Sequence, residues 1–183
     1  MPRPDAYAFY LPFHYFYPRW WGVYLILERV HKLAIDIRRR SAFELDVQEA
    51  LITVRIFLYA HEAFHHIVES FATRLEVTHR TPLYKDGFQR LFNRVFGTDQ
   101  CLEEALATAY GYRRVKERAF PQQPRKKKAS LRALASFIED CPPGYRCAQE
   151  FFVQRYFYQA RSALAEENHH ESLPRLPSKA APL

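Results

Sequence analysis

Tyr59-Ala60-His61-Glu62-Ala63-Phe64-His65-His66-Ile67-Val68-Glu69 sits inside a longer segment, residues 42–77, that holds no proline or glycine. Leu45, Ala50, Leu51, Val54, Leu58, Ala60, Phe64, Val68, Phe71 and Leu75 recur through it at helical spacing. That spacing predicts a long amphipathic helix, whole or with one slight break. Ser41 with Glu44 three residues on predicts a capping box at its start. Thr81-Pro82 predicts its end, because proline disfavours helical geometry for the residue before it. On such a helix His61 and His65 lie one turn apart on one face, where both imidazoles can ligate a single zinc ion. Glu62 lies about 100° round from His61 and about 60° from His65, within reach of the metal's water without occupying the metal. The chemistry requires this placement: zinc lowers the pKa of its water toward about 7, and a nearby carboxylate takes the proton during attack on a carbonyl.

A catalytic zinc takes three protein ligands and keeps one position open. Glu69 cannot be the third on a straight helix, since it stands roughly 12 Å along the axis from His61. It is expected instead to orient a ligand histidine or to pair with an arginine. The next predicted helix, opening near Asp99 and running to about Ala119, offers Cys101-Leu102-Glu103-Glu104-Ala105-Leu106-Ala107-Thr108-Ala109-Tyr110. Its small residues at 105, 107 and 109 allow the close helix approach that a shared metal site needs.

These two segments together resemble the gluzincin branch of the zinc metallopeptidases, above all its small single-domain members. In that branch a Glu on a helix downstream of the HExxH helix completes the site, often in an E-x-x-A-[ND]-x-[FY] pattern. Glu104 to Tyr110 is similar to a variant of that pattern. The resemblance implies Glu104 as third zinc ligand and Thr108 as the polar residue that supports a ligand histidine. It spans residues 58–110 and departs from the pattern in having Thr at 108 and 38 residues between His65 and Glu104. Glu103 stays open as the rival ligand, because the phase of the helix is free by one residue. The branch often adds an oxyanion donor from further on, for which Tyr110, Tyr112, Tyr145 and Arg146 are available. The long metzincin form is excluded, since Val68 and Phe71 stand where it needs Gly and His.

Outside this core the chain supports one α-rich (α+β), zincin-like domain over residues 1–170 and a loose tail over 171–183, which holds three prolines. Residues 7–24 carry ten aromatics interrupted by Pro12 and Pro18, which predicts an ordered extended arm. Trp20–Leu27 reads as an edge strand over the cleft, although Ile26–Ile37 could equally begin a helix. Further helices are expected from Ser130 to Glu139 and from Ala148 to Glu167, with a loop carrying Arg125–Lys128. No apolar run reaches the ~18–20 residues of a membrane span, and three cysteines favour a reducing, cytoplasmic setting over a disulfide framework. Five scattered glycines exclude the glycine-rich phosphate cradles.

The expected activity is therefore that of a zinc-dependent hydrolase, with one Zn²⁺ per chain, acting on a peptide or protein. Two rival readings remain. Glu62-x-x-His65 and Glu28-x-x-His31 would also suit a ferritin-like di-iron bundle, which needs two such motifs and two more carboxylates. The net charge of +7 is concentrated between Arg113 and Arg132, where nine basic residues face one acid, Glu117. That segment could bind nucleic acid or an acidic partner.

Overall fold

The computed structural model describes residues 6–82, Tyr84, Thr98 and 101–170, the last six of these by backbone alone. The protein is mainly helical, with a two-stranded antiparallel sheet at its N-terminus. Strand β1 (Ala8–Leu11) pairs with β2 (Gly22–Leu25), Ala8 opposite Leu25 and Leu11 opposite Gly22. Between them the predicted extended arm contains one helical turn, α1 (Phe13–Phe16), started at Pro12. The alternatives for residues 20–37 are both realised in sequence. The strand ends at Leu25 and helix α2 (Leu27–Arg40) follows at once.

The long segment forms one unbroken helix, α3 (Val47–His79). Its capping box is Asp46 with Glu49, not Ser41 with Glu44: Asp46 accepts from the Glu49 N–H, and Glu49 accepts from the Asp46 N–H. Ser41 closes α2 instead, its hydroxyl donating to the Arg38 carbonyl. The turn at Ala42 and Phe43 has positive φ, which keeps the helix from beginning before Asp46. At the far end Arg80 takes the left-handed conformation, two residues before Pro82.

Helix α4 (Leu102–Arg118) runs antiparallel to α3 and forms the most extensive interface of the fold with it. Asp99, expected as its cap, lies outside the described residues. Ala105, Ala107, Ala109 and Gly111 are buried in or beside this seam. At Gly111 even a Cβ would stand 2.7 Å from the Phe57 carbonyl oxygen, so this position requires glycine for the helices to meet. Helix α5 (Pro124–Glu139) begins at Pro124, six residues earlier than expected, because proline is well suited to a first helical position. Arg125–Lys128 are thereby placed on its first turns rather than in a loop. A 3₁₀ turn (Arg146–Phe151) and helix α6 (Gln154–His170) are the last elements of the described residues, where one helix from Ala148 was expected. The core gathers Val30, Leu33 and Ile37 of α2, Val54, Phe57 and Phe64 of α3, Leu106 and Val115 of α4 and Leu134 and Ile138 of α5. Each fully buried large side chain of this kind contributes about 1.5–3 kcal/mol. Among the described residues no helix is long and apolar enough to cross a membrane.

Candidate metal centre

His61 and Glu62 are buried in the middle of α3, and His65 follows one turn on. Each of the three offers a donor atom within 4.8 Å of the other two, an arrangement able to hold a metal ion. A tighter triangle lies inside it. His61 Nε2 and His65 Nε2 are 3.4 Å apart, and Glu104 Oε2 of α4 stands 3.3 Å from the first and 3.7 Å from the second. Ligands about 2.05 Å from a tetrahedral zinc are separated by roughly 3.3–3.4 Å, so the edges of this triangle suit one ion capping it. Glu104 Oε2 is buried with no hydrogen-bond partner. A carboxylate oxygen left in that state costs several kcal/mol unless a cation faces it.

The outer faces of the imidazoles are fixed. Thr108 Oγ1 lies 3.3 Å from His61 Nδ1. His65 Nδ1–H donates to Glu103 Oε1 at 2.8 Å. Adjacent residues on α4 therefore divide the work: Glu104 points between the Nε2 atoms, while Glu103 takes the opposite nitrogen of His65. When a metal displaces the proton on Nε2, bonds of this kind keep the remaining proton on Nδ1 and the ring turned toward the ion. The charges also favour a cation. Burial alone would push the His65 imidazole down, but the carboxylates of Glu104 and Glu103 outweigh it and lift its pKa to about 10. Burial opposes the Glu104 charge as well, yet His65, His61 and a hydrogen bond from Tyr145 hold it down at about 2.

On the His61 side of the triad lies a cavity of about 150 Å³, lined by His61, Glu62, Thr108 and Tyr145 together with Tyr7, Ala8, Phe57 and Phe137. Tyr145 stacks on His61 at 5.8 Å, its ring only 15° out of parallel. Of the residues expected near the site, this is the tyrosine that the fold brings in. Tyr110 is turned to the other side, where its hydroxyl accepts from Arg114 and its ring packs on Phe64 and Phe157. Tyr112 stacks on Phe152. Arg146 is exposed and does not line the cavity.

Glu69 corrects the expectation placed on it. Its carboxylate accepts from the Tyr10 hydroxyl, from the Phe13 and His14 N–H groups and from His14 Nδ1–H, so it fastens the aromatic arm and not a ligand histidine. Two turns beyond His61, it faces the α1 turn and lies out of reach of the site. The strand at the cavity is likewise β1, through Ala8 with Tyr7 just before it, whereas β2 is its outer partner. Nothing in the strand propensities distinguishes the two; the order follows from α3 packing more closely on β1.

For the rival readings, Glu28 and His31 face solvent, with Glu28 paired to Lys32 and His31 bonded to the Leu27 carbonyl. Two metal-ligating halves are thus not brought together. The basic segment is split between the end of α4 and the start of α5, and Lys126 and Arg132 are engaged by Glu49 and Glu44. Comparison with protein families, curated proteins and solved structures gives no match for this chain.

Proposed function

We propose that the protein is a zinc-dependent hydrolase of amide bonds, with His61, His65 and Glu104 as metal ligands, and that its substrates are peptides or proteins. The observation that carries this reading is the triangle of two Nε2 atoms and one buried carboxylate oxygen that accepts no hydrogen bond. The donor set of two imidazoles and one carboxylate matches a catalytic zinc with an open position. When bound, the metal supplies Lewis acidity and an acidified water at neutral pH. Glu62 lines the same cavity and acts as general base, holding the proton taken from water and passing it to the leaving amine. Thr108 and Glu103 keep the imidazoles in register, and Tyr145, whose hydroxyl bonds Glu104, is the candidate to turn its O–H to the developing oxyanion.

β1 is suited to align an extended substrate. The Ile26 N–H donates to the Tyr7 carbonyl, so by the alternation of an antiparallel ladder Ala8 and Tyr10 turn their peptide groups away from β2. Ala8 borders the cavity and could add hydrogen bonds to a bound strand.

The test is hydrolysis of a casein digest or a quenched peptide pool by the zinc-loaded chain. Glu62→Gln is expected to keep one zinc per chain and to lose at least about 10²-fold in kcat. Full activity in that variant would remove Glu62 from its role, and absence of any chelator-sensitive hydrolysis would remove the reading.

A further inference from the structure

A second groove lies on the opposite side of α3. It is lined by Ile52, Arg55, Tyr59 and Ala63 of α3, by Tyr110, Arg114 and Arg118 of α4 and by Leu25 of β2, with a volume of about 450 Å³. Residues 52, 55, 59 and 63 centre about half a turn round the helix from His61, so this groove is separate from the metal centre. Its floor is apolar and open: Ile52 is 46% and Tyr59 60% exposed. Because α3 and α4 run antiparallel, Arg55 meets Arg114 and Arg118 at one end. Only Arg114 is paired there, to Glu117, while Arg55 and Arg118 are exposed. Like charges gathered beside apolar surface repel one another until an anionic partner arrives.

We infer that this groove binds an acidic, amphipathic peptide segment of a partner protein, its carboxylates on Arg55, Arg114 and Arg118 and its apolar side chains on Ile52, Tyr59 and Leu25. Charge complementarity selects this occupant over the chain's own stretches 1–5, 85–100 and 171–183, none of which is acidic in balance. Residues 1–5 hold Arg3 against Asp5, residues 85–100 hold Lys85, Arg90 and Arg94 against Asp86 and Asp99, and residues 171–183 hold Arg175 and Lys179 against Glu171. The layout also disfavours nucleic acid. A single strand needs cations spaced along its backbone with aromatic platforms between them, whereas these guanidiniums gather toward one end of the groove, with Tyr110 held under Arg114 and Tyr59 the one largely exposed ring. A helix laid between two helices, with leucines at i, i+3, i+4 and i+7, fits such a floor.

The probe is a fluorescein-labelled helical peptide of glutamate and leucine in that spacing, titrated with the full chain and read by anisotropy. The expected result is saturable binding, weakened at least about 10-fold by Arg55→Glu or Arg118→Glu, and by Arg55→Gln to a lesser degree. Lys128→Glu, an equal charge change on α5, is expected to alter it less than about 2-fold. Replacing the peptide's leucines by serine, or its glutamates by glutamine, is expected to abolish it. No saturable binding, equal weakening by Lys128→Glu, or tighter binding of a single-stranded oligonucleotide or of anionic vesicles through the same arginines would each overturn the inference. Circular dichroism of each variant reports whether it is folded. None of these readouts depends on zinc or on hydrolysis, so they stand or fall apart from the proposed activity.

Discussion

At the scale of single residues, the site turns on a difference of one position. Glu103 and Glu104 are about 100° apart on their helix, and α4 sits so that one falls on each side of the His65 ring. A sequence pattern alone assigns carboxylates to a helix but leaves its rotation free, which is why both stayed open until the helices were packed. The two now have separable consequences. Glu103→Gln is expected to keep metal binding and weaken it about 10–100-fold, since the amide no longer supplies charge to His65. Thr108→Val is expected to act similarly through His61, both read by competition with a zinc chromophore. Glu69 shows the opposite failure of reading. Its burial and partners come from an arm more than fifty residues upstream, a contact that no local spacing encodes.

At the scale of elements, the metal centre depends on how closely α3 and α4 approach. Helical periodicity, the lack of glycine and proline in residues 42–77 and the small residues of α4 made both helices and their contact legible. Their ends were less so: the expected cap, Ser41, closes α2 instead, and the positive-φ turn at Ala42 and Phe43 moves the start of α3 to Asp46. Gly111→Ala tests the approach itself. The added methyl would meet the Phe57 carbonyl at 2.7 Å and its ring at 2.9 Å. Backbone cannot yield there as a flexible side chain would, so a loss of about 1–3 kcal/mol is expected in urea unfolding. Because the same shift pulls Glu104 from the histidines, zinc affinity should fall with it. An unchanged midpoint and affinity would show that the seam has slack. The basic run was legible as a charge, not as a surface: its residues divide between two helices, and Lys126 at the start of α5 stands where the helix dipole disfavours cations until Glu49 offsets it.

At the scale of the whole molecule, the aromatic N-terminal arm is bound to helix α3 chiefly at the buried Glu69 carboxylate, with His14 also on Glu76 and Tyr10 also on His66. Burial would raise the Glu69 pKa, but hydrogen bonds from Tyr10, His14 and Phe13 outweigh it and hold it below the usual 4.5. The charged form is therefore favoured by folding. Its contribution is present above about pH 4.5 and is lost as pH falls through the lower, folded value. Urea midpoints of the wild type should accordingly drop on acidification below pH 4.5 more steeply than those of Glu69→Gln. Parallel curves would dismiss Glu69 as the fastening. Sequence showed the arm's composition, while its docking side, with β1 against the cavity, depended on contacts across the fold. The account as a whole rests on one metal held by residues of two helices, and zinc-edge X-ray absorption on the full chain, wild type beside Glu104→Ala, tests this most directly. One zinc per chain with two imidazole nitrogens and a carboxylate oxygen at about 2.0–2.2 Å, the oxygen and most of the affinity lost in Glu104→Ala, is the predicted result. A chain that binds no zinc, or a spectrum and affinity that Glu104→Ala leaves unchanged, would contradict it.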